Sequence, residues 1–240
     1  MKFIFSCILL IILNEYAFPN LQKIHRISIL GSNVFILESD SSLVMIDAGY
    51  AGHEKSILDT IVTLKKPLKL IFITHGHFDH YGCAKAVHDK TGAPIGVHRL
   101  DEKYLCEGRT PIDKVNFAGF FGRLLLPLAE MIWRPPRQCP DIVFNDNDSL
   151  DRFGLRAKIV HTPGHTPGSC SVIVQDSIAF VGDLLTNSPK FDKQRFYGTD
   201  WRQIDSSLVK LCRYKFSMVY IGHKSKTTDK AELLRLIKEK

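Results

Sequence analysis

Within the stretch Lys69-Leu-Ile-Phe-Ile-Thr-His-Gly-His-Phe-Asp-His-Tyr-Gly82, three imidazoles and a carboxylate crowd together: His75, His77, Asp79 and His80. Protonated, the rings would repel one another; neutral, they would compete for hydrogen bonds. A divalent cation removes both problems, because neutral imidazole and carboxylate are preferred ligands of zinc and its neighbours. His75 and His77 are two apart, so an extended backbone points both to one side. Asp79 and His80 follow a further turn and can face a second ion. Later segments offer more donors: His161 and His165 in His161-Thr-Pro-Gly-His165-Thr-Pro-Gly, Asp183 after Phe180-Val-Gly, and His223 after Tyr220-Ile-Gly. His165 stands between two Pro-Gly turns that can hold the backbone rigidly, whereas His161 ends a strand and reads as structural. An Asp after Gly is ordinarily a turn residue, but the place of Asp183 between His165 and His223 favours the site.

The surrounding pattern supplies the elements that must carry these groups. Leu70 to Ile73 is a short apolar run, as expected of a strand buried on both faces. Asn33–Glu38 and Ser42–Asp47 read as antiparallel strands around a Ser-Asp-Ser-Ser turn. Tyr50–Leu64 suits an amphipathic helix, with Ile57, Leu58, Ile61 and Leu64 at helical spacing. Gly82–Lys90 predicts another helix, stopped by Thr91-Gly92 and Pro94. Ile95–His98 is a short strand that places His98 near the site but outside the ligand set. Leu155–Val160 alternates, and Ser171–Val174 pairs with Ile178–Val181 across Gln175-Asp-Ser177. Asp200 can N-cap a helix through Ile204, Leu208 and Leu211, Phe216–Ile221 is a last core strand, and Thr228 or Asp229 caps a closing helix.

The motif His-x-His-x-Asp-His after an apolar strand resembles that of the metallo-β-lactamase superfamily. Leu43-Val-Met-Ile-Asp47-Ala-Gly49, Thr162-Pro-Gly-His165-Thr-Pro-Gly-Ser169, Phe180-Val-Gly-Asp183 and Tyr220-Ile-Gly-His223 match further family motifs in the family's order. The resemblance runs from about Ile27 to the C-terminus and implies an α/β fold, an αββα sandwich of two mixed β-sheets flanked by helices. It implies that His75, His77 and His165 hold one ion, that Asp79, His80 and His223 hold another, and that Asp183 bridges both. Asp79 would also be the catalytic residue, orienting the nucleophile and shuttling its proton. Asp47 would be a buried acceptor that fixes the motif loop. The cofactor implied is a pair of divalent ions, zinc first, with iron or manganese compatible with the same donors.

Two such ions with open coordination positions depress the pKa of bound water to about 7 and polarise a carbonyl. The implied activity is attack of a metal-bound hydroxide on an ester, thioester or lactone carbonyl. Branches that cleave β-lactams typically lack an Asp at the bridging position, whereas thioester hydrolases like glyoxalase II (hydroxyacylglutathione hydrolase) and lactone hydrolases carry it. Glyoxalase II usually adds a C-terminal substrate-binding extension, which this sequence does not show. The runner-up is a persulfide dioxygenase-like enzyme with one iron held by two His and one Asp. A β-lactamase, an RNA-processing nuclease and a membrane-tethered binding protein without catalysis rank below it.

Residues 101–140 form an apolar insertion that is least like the family. Phe117-Ala-Gly-Phe-Phe-Gly-Arg-Leu-Leu-Leu-Pro-Leu-Ala-Glu-Met-Ile-Trp133 can be a helical pair buried on the domain, a lid over the cleft, or a membrane-contacting surface. As a lid it would offer Phe120, Phe121 or Trp133 to an apolar part of a small-molecule substrate, with Tyr197 on a second wall.

With 240 residues and 45% apolar content, the chain can bury one substantial core, taken as a single domain over 21–240. Its net charge of +7 is spread along the sequence, and no basic run with interleaved aromatics indicates nucleic acid. Residues 1–20 differ: Phe3–Leu13 is apolar but for Ser6, too short for a comfortable span yet suited to a signal or an N-terminal anchor. Export or membrane attachment is therefore expected if this segment acts as one, and a cytoplasmic place otherwise. The six cysteines, at 7, 83, 106, 139, 170 and 212, contain no Cys-x-x-Cys pair. Five would remain after loss of the first segment, an odd number that favours free thiols; Cys83 and Cys170 read as small buried apolar groups.

Overall fold

The computed structural model describes residues 20–239 except 113, 116, 134, 188, 189 and 225. The apolar stretch at the N-terminus and Cys7 lie outside the described residues. The chain begins with β1 (Leu21–Ile29), β2 (Ser32–Ser39), β3 (Leu43–Ile46), α1 (Glu54–Leu64), β4 (Leu68–Ile73), α2 (Phe78–Tyr81), α3 (Ala84–Thr91) and β5 (Ile95–His98). The insertion follows as α4 (Glu102–Glu107), β6 (Lys114–Val115) and α5 (Phe117–Ile132). The second half contains β7 (Ile142–Phe144), β8 (Ala157–His161), β9 (Cys170–Val174), β10 (Ile178–Phe180), β11 (Leu185–Asn187), β12 (Phe191–Lys193), β13 (Tyr197–Gly198), α6 (Trp201–Leu211), β14 (Met218–Tyr220), β15 (Thr228–Asp229) and α7 (Lys230–Lys238).

The strands form a six-stranded sheet, β1-β2-β3-β4-β5-β7, and a five-stranded sheet, β15-β14-β10-β9-β8. Alternation along β2 decides which layer each side chain enters. Phe35 and Leu37 point between the sheets, against Phe72, Ile159, Val172 and Phe180. Val34 and Ile36 point to the opposite face, where Ile57, Ile61, Ala84 and Val87 of α1 and α3 cover them. On the far side, Val160, Ile173 and Ala179 pack against Ile204 and Leu208 of α6 and Leu233 and Leu236 of α7. The result is an αββα sandwich, as the motifs imply. Strand β4 runs parallel to both its neighbours, β3 and β5, and is buried on both faces from Leu70 to Ile73.

Local signals set the helix ends. Asp200 accepts from the Arg202 N–H and Asp229 from the Glu232 N–H, satisfying donors that a helix start leaves open. α1 begins at Glu54 rather than Tyr50, because Gly49 and Gly52 take positive φ and keep the intervening turn out of the helix.

Two expectations are corrected in the insertion. Its apolar core is one helix, α5 with Pro127 inside it, not a helical pair. Nor is it buried: Phe120, Phe121, Leu124, Leu125, Leu128, Met131 and Ile132 are between 49% and 70% exposed. The second correction concerns thiols, since Cys106 and Cys139 form a disulfide. Parity counting missed it because β5 and β7 are adjacent parallel strands, so the chain leaving one must return beside the other. That closure brings the end of α4 next to the approach to β7. The remaining described cysteines are free, and Cys83 and Cys170 are buried as expected. No helix among the described residues is long and apolar enough to cross a membrane.

Candidate metal centre

Loops at one end of the sandwich deliver the predicted groups to a common point. The turn after β4 carries His75 and His77, α2 carries Asp79 and His80, the loop after β8 carries His165, the 3-10 turn after β10 carries Asp183, and the segment after β14 carries His223. His75, His77 and His165 bring one donor atom each within 4.8 Å of one another, and so do Asp79, His80 and His223. Asp183 links the two groups: one carboxylate oxygen, Oδ2, lies 3.5 Å from His165 Nε2 and 3.1 Å from His223 Nε2. His223 Nε2 is also 3.2 Å from Asp79 Oδ2. Such close approach needs a glycine at 222, where a Cβ would run into the Asp183 carboxylate and the His80 ring.

Buried acceptors behind the ligands fix which ring nitrogen points inward. Asp47, at φ 58°, receives the Thr74 N–H and hydroxyl and pairs with His80 Nδ1 at 2.9 Å, which leaves His80 Nε2 facing the cluster. Thr74 Oγ1 lies 3.0 Å from His75 Nδ1, leaving His75 Nε2 inward. Ser32 donates to Asp79 Oδ2 at 3.0 Å, and Asn33 clasps the Ile221 and Lys224 carbonyls on either side of His223.

The two halves differ in charge. Burial, with the neighbouring imidazoles adding to it, holds His75 well below the ordinary imidazole pKa and His165 at about 3; burial lowers His77 too. In the other half burial opposes charge but loses. Asp79, Asp183 and Asp47 raise His80 to about 9, and Asp183 and Asp79 hold His223 well above its usual value. Burial would raise the Asp79 and Asp183 carboxyls, yet the charges of His80 and His223 keep both far below the carboxylate range.

These residues fit divalent cations. The buried His75 Nε2 and Asp183 Oδ1 have no hydrogen-bond partner among the described residues, an arrangement that ordinarily costs stability. Imidazole rings pack at 4.1–4.7 Å between centroids with donor atoms turned toward one another. Cations between them would satisfy every one of these atoms.

Several other residues fall into place around the cluster. His161 does not reach it: its Nε2 bonds to the Pro167 carbonyl at 2.9 Å and its ring stacks on His98 at 4.1 Å. Trp133 is half-buried against Tyr50 at 5.4 Å between centroids, and Tyr50 packs on Phe78 at 5.5 Å. Phe120 and Phe121 are exposed and touch each other, 5.8 Å between centroids. The Tyr197 side chain lies outside the described residues.

Asp101 is a site residue that the sequence reading passed over. Fully buried, it accepts from Gly76 N at 2.8 Å and Gly168 N at 2.6 Å and from the Thr166 hydroxyl, tying the His75–His77 turn to the His165 loop. It precedes α4 like an N-cap, yet its side chain makes no cap bond and turns inward instead. Burial raises its pKa to about 6 against the pull of these three donors.

Comparison with known proteins identifies the family. The profile of the metallo-beta-lactamase superfamily matches residues 28–223, and the chain belongs to that superfamily. Hydroxyacylglutathione hydrolase GloC of Haemophilus influenzae is 29% identical over 197 residues, 80% of this chain and 85% of the relative. Among solved structures, the BLEG-1 B3 metallo-beta-lactamase superposes with a TM-score of 0.71 at 23% identity, covering 89% of this chain and 97% of that one. TTHA1623 in a di-iron-bound form gives 0.68 at 22%, covering 91% of this chain and all of that one, 100%. At these identities the structural likenesses show the fold alone.

Proposed function

We propose that this protein is a metal-dependent hydrolase of ester, thioester or lactone carbonyls, working with two divalent ions, zinc foremost. The observation that carries the reading is Asp183, shared between a neutral three-histidine group and a charged group of Asp79, His80 and His223. Bound cations would supply an acidified water and a polarised carbonyl oxygen. The chain's own residues do the rest. His75, His77 and His165, kept neutral by burial, are ready to donate lone pairs without first losing protons. Asp79, ionised and oriented by Ser32, can align a water by accepting a hydrogen bond from it. Asp47 and Asp101 lock the loops so that these groups need not reorganise during reaction.

The relative's name, hydroxyacylglutathione hydrolase, favours thioesters among the substrates to test first. α5 favours a substrate with an apolar part. Its ends are tied to both flanks of the cluster: β6 pairs with β13 beside His165, and Trp133 leans on Tyr50 and so on Phe78. The N-terminal apolar segment and the Cys106–Cys139 disulfide together support work in an oxidising compartment, exported or held at a membrane. The test is a panel of lactones, thioesters, oxygen esters, phosphodiesters and persulfides offered to purified, metal-loaded protein. Hydrolysis confined to the carbonyl compounds is expected. Sulfite formation from a persulfide, with one iron per chain, would move the protein to the dioxygenase branch.

A further inference from the structure

The insertion touches a ligand side chain directly through a buried polar contact. His77 donates from Nε2 to the Pro111 carbonyl at 2.9 Å, with both residues buried. An imidazole held this way is fixed as the Nε2–H tautomer, so its lone pair is on Nδ1, the nitrogen left for a cation shared with His75 and His165. Pro111 belongs to neither helix nor strand. Its segment is held by a few bonds near the end of α4: Arg109 N to the Tyr104 carbonyl at 2.9 Å, and Tyr81 Oη to the Arg109 carbonyl at 3.4 Å. The covalent hold is the Cys106–Cys139 disulfide, which closes the segment that contains Pro111, β6 and α5 across a sequence separation of 33. Cys139 is exposed and Cys106 partly so, which leaves the bond within reach of a dissolved thiol.

We propose that the Cys106–Cys139 disulfide holds the Pro111 carbonyl on His77 and thereby sets how tightly the His75, His77 and His165 group binds a divalent cation. The inference rests on the reading of the cluster as two cation sites. With the disulfide intact, the segment begins and ends at a fixed point, and few arrangements compete with the one that places Pro111 on His77. Opening it frees that base, and the His77 ring can then change tautomer or turn. The opening is an exchange with a dithiol reductant: one thiolate attacks a sulfur of the pair, and the second closes the reductant's own disulfide. Two electrons pass to Cys106 and Cys139, which leave as thiols after each takes a proton. Cys83 and Cys170 take no part, since both are buried and burial pushes their thiols up. The second group is orientated by Asp47, Ser32 and Asn33, all on β2 or just beyond β3 and none of them in the insertion.

The experiment compares the full chain with a variant carrying both Cys106→Ser and Cys139→Ser. Each is stripped by a chelator and titrated with Zn2+ against a competing dye. The wild type should take up two ions. The variant should bind one with unchanged affinity and the other about 10–100-fold more weakly, the usual effect of losing a group behind a metal ligand. Nitrogen-detected NMR should show His77 as a single Nε2–H tautomer in the wild type and as a mixture in the variant. Two unchanged affinities would overturn the proposal, and so would equal weakening at both sites, which marks a general loss of structure. If the variant does not fold, the wild type reduced with a phosphine, capped with iodoacetamide and freed of reagent gives the same comparison. A wild type that binds no zinc would remove the cluster's reading itself, a failure separable from that of the disulfide.

Discussion

The floor of the cleft and the helix beside it are built on opposite principles. On the floor, the ligand side chains other than the partly exposed His223 are nearly sealed from solvent, and buried acceptors hold them from behind: Asp47 for His80, Asp101 for the two loops, Ser32 for Asp79. α5 instead leaves its described large apolar side chains in solvent, and contacts flank it at both ends. The floor can therefore fix a reaction geometry, whereas the helix can adapt to different substrates. Damage to the floor should abolish chemistry for every substrate, and damage to the helix should change preference among them.

The largest effect is expected at the ligands. His165→Ala should eliminate the cation of the first group and reduce hydrolysis by more than the about 10–100-fold typical of groups behind the ligands. His161→Ala should leave metal uptake intact, since that ring stacks on His98 away from the cluster. Elemental analysis of both variants reads the difference, and the reverse pattern would show that the wrong histidine was assigned.

A second prediction concerns the metal-free protein. His75, His77 and His165 are depressed in the folded state, so they contribute stability above the unfolded value near 6.5 that is lost as pH falls toward the value of about 3 held by His165. His80 and His223 are raised, so their contribution is complete below about 6.5 and disappears as pH rises through the His80 value of about 9. Urea melts of chelator-treated protein should therefore show greatest stability near pH 6.5, with a decline on both sides. Metal loading should abolish the alkaline decline, because bound ligands are already deprotonated. A flat profile would contradict the charge difference between the two halves.

Asp101→Asn should have an intermediate effect. The amide retains one acceptor oxygen but turns an N–H group toward a donor, leaving a buried bond unmade at a cost of about 1–3 kcal/mol. Zinc affinity at the first group should fall about 10–100-fold, measured by competition with a chelating dye. Unchanged affinity would show that the two loops hold their places without it.

The sequence announced the ligands because their chemistry lies in residue type and spacing, and it announced the strands because each ligand follows a short apolar run. Asp101 was hidden by its position: an Asp before Glu-Lys at a helix start looks like a cap, and only the tertiary fold shows the side chain turned inward. The Pro111 contact uses a backbone carbonyl, which every residue has, so no sequence pattern could mark it. Ser32 reaches Asp79 across a sequence separation of 47. The disulfide depended on β5 and β7 being neighbours, a fact of topology rather than of cysteine spacing. In α5 the pattern showed an apolar helix but not that its apolar side would remain uncovered.

The smallest effect should come from that helix. Replacing Phe120 and Phe121 with Ser removes apolar surface worth at most about 1.5–3 kcal/mol per ring if substrate buries it fully. Values of kcat/KM should fall for long-chain acyl substrates, stay nearly constant for short ones, and metal content should not change. Equal loss across chain lengths with a lowered melting temperature would assign the rings a structural role instead. Lost liposome association with intact soluble activity would assign them to a membrane contact.

The central claim is that Asp183 joins two cation sites in one catalytic cluster, and metal stoichiometry tests it most directly. Elemental analysis of purified protein, paired with native mass spectrometry, should find two divalent ions per chain, falling to one or none when Asp183 is replaced by Ala. One ion per chain in the wild type, unaffected by that substitution, would contradict the account.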